Sequence, residues 1–547
     1  MKSILFSVIL LLCASQAVGQ DADKVSTRYR VSGYIIDDET SERLSDTYVR
    51  IGKETTFTNN YGYFSLRVEE GRQEIYASCT GCTPYEEEVR IAGDTMLTIR
   101  LRTGVELAEV TVTAPQQHIG SSGLGTARIN LSQLYLSPLF LGERDVIKSI
   151  QALPGISGGM EGSSNVVIRG GTYDQTLFLM DDAPVYSQNH TFGFFSIFNP
   201  DALLSADIYK GGVPTVYGNR MSGVASIALK DGNMRSHRGS VSLGLLASSL
   251  SAEGPIVKDR ASYLFTARRS FTDLLMQGLM KLMTSDGGYS AVLLSFWDVN
   301  GKITWNINDR TRLSAGIYTG NDMLGAENET EISRYDDGEY KSTSAYDRFG
   351  RGWKNTTASL RLTSDIRRNA FLSSSLYYSQ LDNYDSYNIK SDNYLFSQRK
   401  AMRMQEMGWR TSFEQKMSNA NTLFAGFDVS YQHYRPELLT SEASNGDNLK
   451  IDNYRPLHLL TVSIFASDEW RYGRWTFVPG IRLSSYRTKD QNKQAIEPRL
   501  KISMQANDVN RLMLAYDRMT QPVHSINEMA YAESADYWLP FREDRLP

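Results

Sequence analysis

The feature that most constrains this chain is the order of its connections from residue 237 onward. Stretches of alternating apolar and polar residues are joined there by short turns and long polar segments in strict succession. In residues 423–434, Leu423, Phe427 and Val429 share one face of a strand, whereas Asp428 and Ser430 share the other. In a soluble sandwich, nothing requires short and long connections to alternate along the chain. A transmembrane barrel does, because it has short turns at one end and long loops at the other. The sequence therefore predicts a transmembrane antiparallel β-barrel over residues 237–547.

The predicted barrel is open. Its strands are predicted at 239–253, 261–270, 296–307, 311–321, 352–363, 370–380, 404–416, 423–434, 457–470, 475–486, 497–506 and 512–519. The short turns, such as 308–310 and 471–474, hold turn formers, whereas 322–351 and 381–403 are polar and are expected to be long loops. A barrel of about 12 strands is too narrow to hold a plug domain, and plugged outer-membrane barrels have about 22 strands. We therefore expect an incomplete barrel with about 12 of 22 strands, and a chain that is C-terminally incomplete.

Composition and the N-terminus agree with an exported barrel. A hydrophobic share of 41% is too low for a polytopic helical membrane protein, and a net charge of −4 gives no basic surface for nucleic acid. The 31 Tyr and 21 Phe residues suit aromatic girdles. Lys2, an apolar run over 4–13 and the small residues Ala17 and Gly19 predict a signal peptide over residues 1–19.

Residues 28–102 predict a small β-sandwich. Short alternating strands at 29–37, 48–51 and 63–68 surround a turn at 59–62, which is typical of an immunoglobulin-like β-sandwich. The pattern formed by 31–33, 58–64 and Gly71 resembles the carboxypeptidase regulatory-like domain. That resemblance implies a non-catalytic module. The six His residues lack zinc-peptidase spacing, which agrees with this interpretation.

Cys79 and Cys82 form a C-x-x-C pair inside this module. Redox chemistry would need a βαβ context, which is absent, and a single pair of thiols cannot complete a zinc site. In an oxidising compartment the pair is either a small turn disulfide or two free thiols. We predict the disulfide.

Residues 116–232 predict an α/β plug domain. A helix is expected over 143–153, and strands over 165–169 and 176–180. Five segments resemble the plug of the TonB-dependent outer-membrane receptors of the Bacteroidetes type, and they follow the family's order. They are LPGI at 153–156, VIRGG at 167–171, LMDDAPV at 179–185, YKGGVP at 209–214 and YGNRMSGV at 217–224.

The resemblance implies a receptor in the cell outer membrane that imports a scarce nutrient, with an iron complex weakly favoured. Its partners would be a periplasmic TonB protein of the inner-membrane energising complex, outer-membrane lipid and an extracellular small-molecule ligand of unknown identity. No cofactor, metal ion or nucleic acid is implied. No catalytic arrangement stands out in the sequence, so we expect no enzyme. The alternatives are a passive or structural outer-membrane protein and a surface adhesin.

Three groups of residues are candidate sites. The linker 105–115 holds a β-branched segment that resembles the family's TonB box, which would add a strand to the partner; its residues are Glu109, Val110, Thr111, Val112, Thr113 and Ala114. A plain linker or a last sandwich strand is the alternative. The second group is a lock between plug and barrel wall and comprises Arg169, Gly170 and Gly171, with Arg169 expected to pair with a wall carboxylate. The alternative is an ordinary hairpin with a surface arginine. The third is an aromatic plug loop that either faces ligand or packs inside the plug, with His190, Phe192, Phe194 and Phe195.

Overall fold

The computed structural model describes most of the chain. The described residues are 27–103, 125–130, 144–158, 166–190, 193, 195–244, 246–283, 289–336, 339–366, 369–391, 394–444, 447–451, 455–507, 510–526 and 537–541. The predicted signal peptide, the predicted coupling segment at 109–114, Phe192 and Phe194 lie outside them.

The first unit is a β-sandwich of seven strands. They are β1 (Arg28–Asp37), β2 (Tyr48–Ile51), β3 (Glu54–Phe57), β4 (Tyr63–Glu69), β5 (Gly71–Ser78), β6 (Tyr85–Ile91) and β7 (Thr95–Leu101). One sheet has the order β4-β1-β7 and the other β3-β2-β5-β6. Alternate residues such as Val31, Ile35, Val49 and Leu66 are buried between the two sheets, so the period-two pattern produces the core. Cys79 and Cys82 are joined by a disulfide, with their Cα atoms 5.2 Å apart.

The second unit is the α/β plug. Its strands are β8 (Thr126–Asn130), β9 (Ile156–Ser157), β10 (Val167–Ile168), β11 (Thr176–Met180), β12 (Ala183–Val185), β13 (Asn189–His190), β14 (Phe195–Ser196), β15 (Leu203–Tyr209) and β16 (Gly223–Leu229). Five of them form a sheet in the order β12-β11-β16-β15-β8. Helix α1 (Val146–Gln151) is shorter than the predicted 143–153, because Asp145 caps it by accepting a hydrogen bond from Lys148 N at 3.0 Å.

The third unit is a large antiparallel sheet that forms the wall around the plug. Its strands are β17 (Arg238–Leu243), β18 (Ala247–Val257), β19 (Ala261–Ser270), β20 (Tyr289–Asn306), β21 (Thr311–Asp336), β22 (Glu339–Ile366), β23 (Ala370–Ser391), β24 (Tyr394–Ser418), β25 (Asn421–Ser444), β26 (Asp447–Ile451), β27 (Leu457–Tyr472), β28 (Trp475–Arg487), β29 (Asn492–Gln505) and β30 (Arg511–Asp517). Consecutive strands pair throughout, except that β26 pairs only with β25, which itself pairs with β27. A hairpin of β31 (Val523–Ile526) and β32 (Tyr537–Pro540) follows.

Two sequence predictions about the wall are corrected. The single strand predicted at 239–253 is a hairpin, β17 and β18, because the chain turns at Gly244, whose N–H donates to Ala247 O at 2.9 Å. The segments predicted as long loops, 322–351 and 381–403, are instead extensions of the strands, which pair without interruption to the hairpin tips. Their Tyr, Thr and Ser residues are compatible with an extended backbone. The hydrogen bonds between neighbouring strands can continue beyond the membrane into water without a buried face.

Helix α2 (Thr272–Met283) connects β19 to β20 and was absent from the sequence prediction. No helix in the described part of the chain is both long enough and apolar enough to span a membrane.

The two faces of the wall differ as the alternation predicts. The outer face exposes large apolar side chains, among them Leu376, Met407, Trp409 and Ile464, which are between 47% and 62% exposed. The inner face buries polar and charged side chains against the plug. Exposed apolar groups outside and polar groups inside are the arrangement expected of a wall that faces lipid.

The sandwich lies at the short-turn end of the wall. Tyr34 Oη donates to Arg310 O at 3.0 Å, Asn419 Nδ2 donates to Arg67 O at 2.8 Å, and Tyr63 Oη donates to Asp365 Oδ1 at 3.0 Å. Residues 310 and 419 belong to short turns between wall strands. Since short turns mark the periplasmic end of an outer-membrane barrel, the sandwich covers that end of the plug.

Candidate functional site: the interface between plug and wall

The plug presents two adjacent carboxylates to the wall from one tight turn. Strands β11 and β12 pair from Met180 to Ala183, which leaves Asp181 and Asp182 as a two-residue turn. Both residues are left-handed, with φ of 45° and 73°. Aspartate tolerates this conformation better than most residues, and such turns match the twist of a hairpin. The LMDDAPV segment therefore carries acidic residues because the turn and the interface both require them.

Asp181 lies in a buried chain of charges. Lys302 Nζ, on β20 of the wall, is 3.0 Å from Asp181 Oδ2 and 3.1 Å from Asp231 Oδ1. It also donates to Leu229 O at 2.7 Å. Asp231, which follows the last plug strand, pairs further with Arg312 Nη1 on β21. Burial acts to raise the pKa of Asp231, but Lys302 and Arg312 outweigh it and lower that pKa.

Asp182 pairs with the next strands of the wall. Arg361 Nε on β22 donates to Asp182 Oδ2 at 2.7 Å, and Ser375 Oγ on β23 donates to the same oxygen. Arg410 on β24 reaches the Asp182 carbonyl at 3.4 Å. Burial acts to raise the pKa of Asp182, but the two guanidinium groups outweigh it, so the carboxyl has a lowered pKa and is ionised at neutral pH.

His190 makes a third buried attachment. Its Nδ1 lies 2.6 Å from Asp322 Oδ2 and its Nε2 lies 3.2 Å from Asp298 Oδ2, both on wall strands. The ring stacks on Phe296 with a centroid separation of 4.4 Å. Burial acts to lower the pKa of His190, but the two carboxylates outweigh it and raise that pKa. A protonated His190 donates through both nitrogens and ties the plug to two adjacent strands.

Two wall arginines hold a plug loop by its backbone. Arg482 Nη1 donates to Val216 O at 3.0 Å, while its Nη2 is 3.1 Å from Asp428 Oδ2. Arg499 Nη1 donates to Pro214 O at 2.6 Å and its Nη2 donates to Tyr217 O at 2.8 Å. A planar guanidinium can bridge several carbonyls in this way. This close approach also explains why residue 218 is a glycine, because a Cβ atom at Gly218 would lie 2.5 Å from Arg482 Nε.

Residues 169–171 do not form the predicted lock with the wall. Arg169 is exposed, and within the described residues it has no carboxylate at ion-pair distance. Its guanidinium instead packs on Gly211, where a Cβ would lie 2.7 Å from Arg169 Nη1. Gly170 completes the same turn with φ of 77°, and Gly171 follows it. Arg169 therefore does not make the expected pair with a wall carboxylate. Plug carboxylates pair with wall cations at Asp181 and Asp182, and His190 is the plug group that contacts wall carboxylates.

The aromatic plug loop is packed rather than open to ligand where the structure describes it. His190 and Phe195 are 0% and 2% exposed, and Phe195 packs on Phe296 with a centroid separation of 5.7 Å. His190 and Phe195 are therefore part of the contact with the wall.

A cavity separates part of the plug from the wall near the sandwich. It has a volume of about 370 Å³ and is lined by Tyr61 of the sandwich, Asp182 and Thr215 of the plug, and Phe371 and Arg410 of the wall, among others. Tyr61 stacks on Phe371 with a centroid separation of 5.4 Å, so the sandwich closes the periplasmic side of this space. The interface thus contains a cavity that the sandwich covers at one end, and it combines buried polar contacts with apolar packing such as that of Tyr186 on Leu381 and Met402.

Sequence reasoning missed the wall residues that hold the plug. A signal was present, because Arg361, Arg410 and Arg482 occupy the polar face of alternating strands, which is the face directed away from lipid. An arginine repeated on an inward face indicates a charged partner inside the barrel. In the described residues no cluster of His, Cys, Asp or Glu has the arrangement of a metal site.

Comparison with known proteins identifies the family. Residues 141–225 match the model of the TonB-dependent receptor plug domain, and residues 282–536 match the model of the TonB-dependent receptor-like β-barrel. Together these two models cover more than half of the chain. The first lies within the plug, and the second covers the wall from β20 onward. A search of curated proteins gave no significant match.

Two solved structures with TM-scores of 0.50 or more share the fold of this chain. The FrpB iron transporter from Neisseria meningitidis is 14% identical, with a TM-score of 0.51 over 73% of this chain and 66% of that chain. The outer membrane transporter YddB from Escherichia coli is 11% identical, with a TM-score of 0.50 over 73% and 61%. The ferric enterobactin receptor PfeA from Pseudomonas aeruginosa is 16% identical, with a TM-score of 0.46 over 73% and 62%. The chain thus spans about three fifths to two thirds of the length of these proteins. With its matching plug, its lipid-facing wall and both family models in order, the chain belongs to the TonB-dependent receptors of the outer membrane.

Proposed function

We propose that this receptor imports a scarce nutrient across the outer membrane, with energy delivered by a periplasmic TonB protein. Ligand would bind from the side of the long hairpins, and the plug would then rearrange to open a path. An iron complex is the first cargo to test, because FrpB is an iron transporter. The proposed activity is transport, without catalysis.

The buried polar contacts between plug and wall carry this proposal. Asp181, Asp182 and His190 are held by buried ion pairs, and the loop at 213–217 is held by hydrogen bonds to Arg482 and Arg499. Ionic and hydrogen-bonded groups regain water when they separate, whereas a dry apolar contact does not. An inert filling would be stabilised best by apolar packing. A plug that must leave its seat and return is served better by polar contacts.

The proposed pull acts between the sandwich and the plug. The candidate coupling segment at 109–114 connects these two units in the sequence. A strand added to a partner by β-augmentation transmits force through the backbone. Because the sandwich covers the periplasmic end of the plug, the same pull would displace the sandwich before the plug leaves its seat.

A reversible tether between plug and wall tests the proposal. Thr215 Oγ1 on the plug lies 3.4 Å from Ser467 Oγ on β27. Sulfur atoms in place of these oxygens need only a small adjustment to form a disulfide. Thr215→Cys with Ser467→Cys should abolish uptake of labelled ligand under oxidising conditions and restore it after reduction. Ligand binding to whole cells should be unchanged in both states.

The single variant Thr215→Cys is the matched control, because it alters the same loop without a tether. Full uptake by the oxidised double variant, with the disulfide verified by mass spectrometry, would contradict plug movement and favour a passive outer-membrane protein. Binding of a macromolecule to whole cells without any accumulation, in the reduced variant as in the unmodified receptor, would favour a surface adhesin.

A further inference from the structure

The segment that follows the last wall strand turns away from the sheet. Arg518 N still donates to Pro498 O of β29 at 3.1 Å. The chain then forms β31 and β32, which make a two-stranded sheet separate from the wall. We call residues 521–526 and 537–541 the lumenal hairpin. Because its N-terminal end continues directly from β30, the position of this hairpin is set by the wall.

The apolar side of the lumenal hairpin is buried between plug and wall. Val523, Trp538 and Phe541 are 0%, 2% and 6% exposed. They form one cluster with Tyr186 of the plug and with inward side chains of the wall, among them Met402, Met404, Tyr434 and Tyr486. These wall residues lie in the half of their strands that is away from the short turns. The lumenal hairpin therefore covers the end of the plug opposite the sandwich.

One plug carboxylate holds the polar side of the lumenal hairpin. Gln521 Nε2 donates to Asp174 Oδ2 at 3.0 Å and to Asp174 O at 3.2 Å. Ser525 N donates to the same carboxylate oxygen at 3.3 Å, and Ser525 Oγ lies 3.0 Å from Tyr173 Oη. Asp174 and Gln521 are both buried. Since hydrogen bonds to a charged acceptor are stronger than neutral ones, these contacts fasten the hairpin to the plug.

Trp538 fills a pocket on the plug that suits it incompletely. Its ring meets the Tyr186 ring edge-on at 5.2 Å, and the Arg220 guanidinium lies 5.1 Å from the indole. Arg220 is buried and donates to Asn219 O at 2.8 Å, but no carboxylate of the described residues lies at ion-pair distance from it. Arg220 Nε and Trp538 Nε1 are buried donors without an acceptor among these residues. Because such donors are costly, a ligand that brings acceptor oxygens to Arg220 would fit this pocket better than the indole does.

The lumenal hairpin also opposes movement of the plug toward the periplasm. Such a movement carries Asp174 away from Gln521 and Tyr186 away from Trp538, because the hairpin stays with the wall. The sandwich holds the periplasmic end of the plug, and the hairpin holds the opposite end. An empty receptor is therefore fastened at both ends.

We propose that the lumenal hairpin is an autoinhibitory latch that occupies the cargo pocket of the empty receptor. Cargo with acceptor oxygens takes the place of Trp538 over Arg220, the hairpin is displaced, and Asp174 is released. The plug then follows a pull from the periplasm, whereas a pull on the empty receptor is resisted by the latch. This inference rests on the proposed import function and adds the condition under which the plug becomes free to move.

Release of the plug by urea, followed as conductance of the purified receptor in a planar bilayer, tests the latch without cargo. Trp538→Ala and Gln521→Leu should each make release at least about tenfold more favourable, because each removes buried contacts with the plug. Trp538→Phe keeps a ring against Tyr186 and Arg220 and should retain most of the restraint. The matched control is Trp470→Ala, at a tryptophan that is 41% exposed near a short turn, and it should have no effect.

Sensitivity of cells to vancomycin tests whether the latch keeps the empty receptor closed. This antibiotic is too large to cross an intact outer membrane, so its entry reports an open receptor. Cells with Trp538→Ala or Gln521→Leu should be more sensitive than wild-type cells in the same medium, and only when the TonB protein is present. Equal sensitivity with and without the TonB protein would count against energy coupling while supporting the latch.

Several outcomes would overturn the latch. These are wild-type release of the plug by urea in both latch variants, an equal change in Trp470→Ala, or a Trp538→Phe receptor as defective as Trp538→Ala. Easier release by urea with wild-type sensitivity to vancomycin would also overturn it, because the hairpin would then only support the plug. If the tether between plug and wall still blocks uptake, that result leaves the proposed function standing. Heat-modifiability of each variant on gels verifies that the barrel has folded.

Discussion

Removing the Lys302 ammonium should loosen the plug more than any exposed charge deletion. Lys302 Nζ is within 3.1 Å of two carboxylates, and its side chain is only 3% exposed. In Lys302→Met, Asp231 keeps Arg312, whereas Asp181 keeps, among the described residues, the distant cation of Arg361 at 3.8 Å and the hydrogen bond from Leu229 N at 3.2 Å. Breaking a buried pair by deleting one partner costs about 3–5 kcal/mol. Release of the plug should become about 100-fold to 4000-fold more favourable, because 1.4 kcal/mol corresponds to a factor of ten.

Conductance of the receptor in a planar bilayer measures this effect. Urea should release the plug and open a pore, and the midpoint of that transition reports the free energy of seating. With a slope of about 1–3 kcal/mol per molar urea, the midpoint for Lys302→Met should fall by at least about 1 M. The matched control is Arg348→Met, which breaks an ion pair with Glu327 on an arginine that is 56% exposed. That change should shift the free energy by less than about 1 kcal/mol.

A double-mutant cycle separates the ion pair from a general loss of packing. Asp181→Asn in the Lys302→Met background removes the uncompensated carboxylate, so it should recover part of the lost midpoint. An unchanged midpoint in Lys302→Met, or an equal shift in Arg348→Met, would refute the argument that buried ion pairs hold the plug. Failure of the double variant to recover any midpoint would assign the loss to packing instead.

Three further predictions follow from plug, sandwich and linker. The pKa of His190 is raised in the seated plug, so the protonated ring stabilises that state fully below pH 6.5, the ordinary pKa of histidine. This stabilisation is lost as the pH rises through the raised pKa. Release of the plug by urea should therefore become easier above pH 6.5 in the wild type but not in His190→Gln. Burial and Asp231 raise the pKa of Glu42 of the sandwich from 4.5 to about 7. Docking of the sandwich on the plug should therefore weaken as the pH rises between these two values. Glu42→Gln should remove this pH dependence from the rate at which proteolysis releases the sandwich. Val112→Pro removes a backbone donor and should abolish accumulation while surface binding survives, whereas Thr111→Ala should be milder; undiminished accumulation in Val112→Pro would place the coupling strand elsewhere.

The fold was predictable because its signals are local. Alternation along 423–434 needs only neighbouring residues, and the structure has β25 there with Asp428 and Ser430 inside. The strand at 176–180 was predicted with its observed bounds for the same reason. The bend at Gly244 was missed because a single glycine in an alternating stretch is compatible with either a continuous strand or a turn.

The site was predictable only in part because its contacts join distant segments. Asp182 and Arg361 are 179 residues apart, and nothing near either residue indicates the other. The plug motif at 167–171 drew attention to Arg169, a charged residue within a recognisable segment, whereas the working charges lie on the next hairpin. Strand parity would have placed Arg361 and Arg410 inside the barrel, but their partners required the three-dimensional structure.

One wall residue links all three units and sets the order in which they separate. Arg361 holds Asp182 of the plug at 2.7 Å, and its guanidinium lies 5.7 Å from the ring of Tyr61 of the sandwich. A cation–π contact contributes about 0.5–2 kcal/mol, less than the roughly 3–5 kcal/mol lost when a buried ion pair is broken. Under a pull from the linker, Tyr61 should therefore leave Arg361 before Asp182 does. Displacement of the sandwich then admits water to the cavity beside Asp182, and water weakens the remaining ion pair because it raises the local dielectric constant.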